Sequence, residues 1–236
     1  MPLPKLKHPL YEFVIPSSKK KLKFRPFLVK EEKLLLMAKE TADVAESLRA
    51  MKQIVNNCCT EKSFDVEELA LFDLEYLFLQ LRAVSVNNMV SVSYRDNEDN
   101  EIYTFDIDLK EVNVLFPEGS DPIIKIDDKA GIIMKYPTTK ILDDKEYFNT
   151  GDQAYFELIL RCMDKIYDGD EVYDCKNVSL KDREEFLDHL DIAVFDKIQK
   201  FMNAAPRLYH KLEYVNRNGN QRVIELTSIV DFFTLR

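Results

Sequence analysis

The segment Leu69-Ala-Leu-Phe-Asp-Leu-Glu-Tyr-Leu-Phe-Leu-Gln-Leu81 is apolar on nearly every side when wound into a helix. A helix with one apolar stripe covers a core from outside, whereas one that is apolar all round must be enclosed on several faces. Any fold of this chain therefore has to bring partners to more than one side of residues 69–81, the expected centre of a core or of an interface. The start of the helix is signalled by Asp65 as a cap, Glu68 three residues later as in a capping box, and Phe64 with Leu69 as a hydrophobic staple.

Partners are available on both sides in sequence. Residues 10–15 and 20–25 read as short strands around Pro16-Ser-Ser18, and Pro26 closes the second. A helix is expected from about residue 30 to 57, with an inward seam of Leu34, Met37, Thr41, Val44, Leu48, Met51, Val55 and Cys58. That alternation of three and four marks one helix side, as in a coiled coil or an antiparallel helix pair. Packing within the chain is the favoured account, and packing between chains stays open.

Downstream of Met89 the period changes to two. Val90, Val92 and Tyr94 face Tyr103, Phe105, Ile107 and Leu109 across the turn Asp96-Asn-Glu-Asp-Asn100, a hairpin with one wet side. Residues 113–130 read as acidic loop with room for one short strand, and 131–136 as a strand ended by Pro137. Thr150 and Gln153 offer a capping box for a helix to about Tyr167, with Tyr155, Ile159, Cys162, Met163 and Ile166 inward and Asp168-Gly169 as its stop. Ser179 and Asp182 open another, with the stripe Leu187, Leu190, Val194, Ile198 and Phe201. Residues 208–215 and 222–226 form a hairpin across Asn218-Gly219, and the apolar run from Ile229 to Phe233 is expected to dock on the core. The fold class is α+β, with about four main helices and antiparallel β-hairpins. Residues 1–86 hold a hairpin and two long helices and 87–236 a mixed region, a division compatible with one continuous domain.

Composition removes many kinds of chemistry. The five glycines, at 119, 131, 151, 169 and 219, are never within ten residues of each other. Loops that cradle phosphate need closely spaced glycines, so Rossmann, P-loop and kinase glycine loops are excluded, as is the Gly-x-Ser-x-Gly elbow. Cys58 and Cys59 are adjacent, Cys162 and Cys175 lie thirteen apart, and His8, His189 and His210 are scattered, so no zinc spacing is present. Asp96 to Ile107 and Asp164 to Cys175 both fail as calcium loops, the first with Glu101 where glycine is needed, the second with Cys175 at the last ligand position. The pairs Glu67/Glu68, Asp143/Asp144 and Glu184/Glu185 sit in polar contexts, whereas acid–base catalysis needs a desolvated pair. No cofactor is implied.

The charge of −9 weighs against nucleic-acid binding, yet it is uneven. Residues 1–30 carry eight Lys and Arg against Glu12 alone, and residues 96–128 carry eleven acids against Lys110 and Lys125. Such polarity either pairs two faces of one molecule or steers a partner. Lys19-Lys-Lys21, Lys23 and Arg25 interleave with Phe24 and Phe27, and a charged edge for a protein partner fits them better than a nucleic-acid groove. The N-terminal residues lack the apolar region of a signal peptide, and no apolar run approaches a membrane span. Synthesis in the cytosol and reduced thiols are expected.

The segment Phe24-Arg-Pro-Phe-Leu-Val-Lys-Glu-Glu-Lys-Leu-Leu-Leu-Met-Ala38, with Phe72-Asp-Leu-Glu-Tyr-Leu-Phe-Leu-Gln-Leu-Arg82, the opening Leu3-Pro-Lys-Leu6 and the closing Asp231-Phe-Phe233, resembles the baseplate hub family of T4-like contractile-tailed bacteriophages. The resemblance implies a non-enzymatic phage tail protein, a hub subunit or a chaperone for hub and tape-measure proteins, found in the host cytoplasm during assembly or in the virion baseplate. It implies other hub or tape-measure proteins as partners, neither nucleic acid nor membrane, and leaves a homo-oligomer open. The resemblance implies cysteines in the middle hairpin of some relatives, where this chain has Tyr94-Arg-Asp-Asn-Glu-Asp-Asn100, so no metal is carried over. Arg25, Phe27, Lys30, Leu34, Phe72 and Tyr76 are the expected partner-binding residues, and Arg25→Glu with Lys30→Glu is expected to weaken association without moving the melt. A hydrolase or nucleotide-modifying enzyme with a composite carboxylate site and a DNA-binding accessory protein are the alternatives.

Overall fold

The structure, a computed structural model, describes residues 7–41, 44–140 and 152–232. The strands are β1 (Tyr11–Val14), β2 (Lys21–Phe24), β3 (Met89–Arg95), β4 (Ile102–Asp108), β5 (Asn113–Leu115), β6 (Ile123–Lys125), β7 (Ala130–Met134), β8 (Met163–Asp168), β9 (Glu171–Asp174), β10 (Arg207–Val215) and β11 (Gln221–Leu226). The helices are α1 (Val29–Thr41), α2 (Val44–Cys58), α3 (Leu71–Ser85), α4 (Asp152–Cys162), α5 (Leu180–Asp188) and α6 (Ile192–Asn203). Small antiparallel sheets and helices share the chain, which makes it α+β. The chain forms two compact units, residues 1–115 with 207–236, and residues 116–206.

In the first unit α3 is enclosed on two sides, as its composition demands. Leu74, Leu77, Phe78 and Leu81 enter a core with Leu22 and Phe24 of β2 and Met51, Ile54, Val55 and Cys58 of α2. Leu79 and Ala83 enter a second core with Val92 of β3, Ile107 of β4, Leu208 of β10, Leu226 of β11 and Phe232. The β1–β2 hairpin is closed by a turn in which Lys19 takes a left-handed φ of 57°. Phe24 bridges Cys59, and the Arg25 amide donates to the Cys58 carbonyl at 2.9 Å, so the hairpin leans on the end of α2.

The β3–β4 register pairs Val90 with Ile107, Val92 with Phe105 and Tyr94 with Tyr103, as the period-two pattern requires. Leu109 lies past the strand in a 3-10 turn and is fully buried. β10 pairs with β11 on one edge and with β5 on the other, so a three-residue strand from the acidic stretch completes that sheet. The second unit is the sheet β6-β7-β8-β9, whose core of Ile124, Ile132 and Met163 is shared with Ile159, Leu187, Val194, Ile198 and Phe201 from α4, α5 and α6.

Six helices stand among the described residues, where about four were expected. The stretch 30–57 holds both α1 and α2. The helix opened by Ser179 and expected to run on to Phe201 is broken after Asp188, because the Asp191 carboxylate accepts from the Val194 amide at 2.8 Å and caps a new helix, a local bond that competes with continuing the old one. Asp65 caps only a 3-10 turn, Val66–Glu68, and α3 begins at Leu71 with no side-chain cap. The helix expected to reach Tyr167 stops at Cys162. From Met163 the chain is strand, and Asp168-Gly169 is the turn of the β8–β9 hairpin, with Gly169 at a φ of 58°. The 113–130 stretch holds two short strands, β5 and β6, where one was expected. The cap at Thr150, the pair Asp143/Asp144, the opening Leu3-Pro-Lys-Leu6, Phe233 and the side chains of Thr41 and Val44 lie outside the described residues.

Candidate docking surface

The base of α1 is tied down by a buried ion pair. Leu28 is the residue before the helix, and its amide donates to Glu31 at 2.9 Å, half of a capping box. The Arg25 guanidinium donates to both Glu31 carboxylate oxygens at 2.9 and 3.2 Å, to the Asn57 carbonyl at 2.9 Å and to the Pro26 carbonyl at 3.0 Å. Burial would raise the Glu31 carboxyl, but the bonds from Arg25 and the Leu28 amide, with the charges of Arg25 and Lys30, hold it below its ordinary range. The same pairing raises Arg25 further. The Phe27 amide donates to the Ser85 hydroxyl at 2.8 Å and pins this base to the end of α3.

Above that base α1 shows two unlike sides. Glu31 is buried, and Leu34 and Leu35 pack against the first core. Val29, Leu36 and Met37 are 74%, 55% and 65% exposed. They fall at i, i+7 and i+8, which is one side of a helix, and exposed Lys33 lies among them.

The six residues expected to bind a partner are not brought together. Arg25 has its guanidinium engaged internally, with a side chain 16% exposed. Phe27 is buried against Phe78, with ring centroids 5.8 Å apart. Lys30 is 63% exposed and pairs with Glu31 at 3.5 Å, while Leu34 faces the core. Phe72 is buried and Tyr76 is half-buried against the second core. Arg25→Glu therefore sets a second carboxylate beside buried Glu31, so its effect on binding would be mixed with an effect on folding. Val29, Leu36 and Met37 are the residues the periodicity passes over or, for Met37, places inward. The available signal is the run Leu34-Leu-Leu-Met37, because four successive residues sweep most of a helix's circumference and cannot all face one core.

Acid–base chemistry finds no shared site on α3. Burial pushes Asp73 up to about 6 and Glu75 up to about 7. Asp73 accepts from the Ser17 amide and hydroxyl at 3.0 and 2.5 Å, whereas Glu75 faces the Ile229 amide and the Asp231 charge. Two residues apart on a helix, the two carboxylates serve different neighbours. All four cysteines are free thiols, and burial pushes Cys58 up to about 11 and Cys162 up to about 12, which makes them poor nucleophiles. No group of three or more metal-ligating side chains stands among the described residues.

The acidic turn of the middle hairpin is occupied by the tip of the last one. The Tyr214 hydroxyl donates to Asp96 at 2.6 Å, the Asn216 amide group to Glu98 at 3.0 Å, and the Arg217 backbone amide to Asp99 at 2.9 Å. Arg222 reaches Asp96 and Glu98 at 3.2 Å, and Arg217 pairs with Glu101. The Tyr103 and Tyr214 rings meet at 4.7 Å between centroids, tilted by 44°. The Tyr214 hydroxyl, the Glu98 amide and Arg222 hold Asp96 below the usual carboxylate range against the opposing effect of burial. Carboxylates that look like cation ligands in sequence are thus consumed by arginine and asparagine.

Among the described residues α1 is tethered at its base and apolar on its outer side, and the acid–base and thiol groups do not converge. The T4 bacteriophage base plate protein family matches residues 8–234, nearly the whole chain, and the protein belongs to that family. No curated protein and no solved structure matches the chain. Among the described residues no helix is long and apolar enough to cross a membrane.

Proposed function

We propose that this phage baseplate protein acts in assembly of the baseplate hub by binding other tail proteins, as a hub subunit or as a chaperone for hub or tape-measure proteins, and that it catalyses no reaction. The observation that carries the reading is α1, whose inner side is fixed by Arg25, Glu31 and Ser85 and whose outer side offers Val29, Leu36 and Met37 to solvent. A rigid base under exposed apolar side chains is preorganised for association, because little conformational freedom is left to lose. Family membership supports a place in the tail. Quantitative mass spectrometry of purified particles and of infected-cell lysate tests the reading. A fixed small copy number per particle makes the chain a hub subunit, and abundance in lysate with none in particles, in complex with hub or tape-measure protein, makes it a chaperone. Absence from particles and from every tail-protein complex overturns the reading.

A further inference from the structure

The second unit interrupts the first. Residues 1–115 and 207–236 make one body, and residues 116–206 lie between them in sequence. The interruption falls at the end of a ladder. β5 and β10 run antiparallel, and Leu115 opposite Arg207 is the last rung before the chain departs and the first after it returns. Opposed Cα atoms of an antiparallel pair lie about 5 Å apart, so the first unit holds the two joints as close together as a hairpin turn needs. Pro117 and Pro206, residues that stop a helix or a ladder, stand at those joints.

Residues 116–206 close on themselves near the same two points. Lys200 of α6 pairs with Glu118 at 2.9 Å, an exposed contact worth little alone. The Lys200 stem also lies over Gly119, where a Cβ would come within 2.7 Å of its Cγ. Lys197 donates to the Lys125 carbonyl at 3.0 Å. The start of this unit is thus tied to its last helix by its own residues. Further in, the Tyr136 hydroxyl donates to the Ser120 carbonyl at 2.6 Å, and Arg183 to the Leu160 carbonyl at 2.7 Å. Among the described residues, the core running from Ile124 to Phe201 takes every member from this unit, and the two cores around α3 take none from it. About 90 residues are enough for such a core to stand alone, since domains of roughly 55–65 residues do.

We infer that residues 116–206 are an autonomous domain inserted into the β5–β10 hairpin, one that can unfold, or be cut out, without undoing the unit that carries α1. An unfolded insert is only a long loop between β5 and β10, and the entropy of closing a loop grows slowly with its length. The inference goes beyond the proposed function and stands or falls separately from it.

The test follows both units in the full chain. Hydrogen exchange, read peptide by peptide in rising urea, gives one midpoint for residues 116–206 and another for β3, β4 and β10. Ile132→Ala, at a fully buried position in the insert, should lower the first midpoint by about 1 M and leave the second within about 0.2 M. Ile54→Ala in α2 should do the reverse. If Ile132→Ala leaves the insert unfolded even in water, continued protection of β3, β4 and β10 supports the inference and its loss overturns it. Midpoints that move together under either substitution overturn it, because the chain is then one cooperative body. A chain in which a short glycine turn joins Leu115 to Arg207 in place of the insert should melt cooperatively with the amides of α3 and β10 protected. Loss of that protection also overturns the inference.

Discussion

α1 and α2 come from one run of apolar spacing, yet the two helices bury different shares of what that spacing marks. Met51, Val55 and Cys58 are sealed against α3 and β2, while Met37, at the same kind of position one helix earlier, stands in solvent. The difference lies in what surrounds each helix. α2 has α3 and the β1–β2 hairpin beside it, whereas α1 is held at its base by a polar knot and along one side by Leu34 and Leu35. Periodicity reports which residues share a side of a helix; burial depends on what the rest of the fold places there.

The largest effect that would sharpen this comparison is loss of the knot. Arg25→Ala leaves the buried Glu31 carboxylate with only the Leu28 amide and Lys30, and breaking such a pair costs about 3 kcal/mol, readable as a shifted urea midpoint with unchanged slope. Next comes the packed helix: Ile54→Ala in α2 removes a fully buried side chain and should cost about 2–5 kcal/mol. Smallest is the exposed helix, where Leu36→Ala should leave stability within about 0.5 kcal/mol, and a loss comparable to Ile54→Ala would show that α1 is covered in solution.

A pH titration separates the polar knot from the buried carboxylates of α3. Asp73 and Glu75 are raised in the fold to about 6 and about 7, from ordinary values of 3.8 and 4.5. The folded state therefore binds more protons than the unfolded chain between those limits, and these two groups make stability rise as pH falls from about 7 towards 4. Glu31 has the opposite sign, since its carboxyl is held low and its contribution is lost as pH falls below 4.5 and through its lowered value. Glu75→Gln should flatten the rise between pH 7 and 4.5 in chemical denaturation at a series of pH values, and an unchanged profile would show that Glu75 is already hydrated in the native state.

Local signals made much of this fold legible. The β3–β4 pairing follows from alternation, β10–β11 from Asn218-Gly219, and the double enclosure of α3 from a segment with no polar side. Where helical and strand periods coincide, spacing does not tell the two apart. Residues 155–166 satisfy helical spacing, but from Met163 they are strand, and the Asp-Gly dipeptide, equally suited to stopping a helix, is a hairpin turn. The candidate surface was less legible than the fold. Arg25 and Glu31 are six residues apart, a separation that no helical repeat joins, and they meet only because Pro26 and Phe27 turn the chain between β2 and α1. Phe72 belongs to an informative segment for the same reason that it is buried. Apolar richness marks where a chain needs cover without saying whether another protein supplies it.

The pairing of β10 with β5, and the grip of Asn216, Arg217 and Arg222 on residues 96–101, give the first unit a timetable. One side of α3 can be sealed once the β1–β2 hairpin and α2 have left the ribosome. The other waits for Leu208, Leu226 and Phe232, more than a hundred residues later, while residues 116–206 emerge as a unit with its own core. During synthesis Leu79 and Ala83 are therefore a sticky, half-dressed surface, and a chain cut short before residue 207 would keep it so.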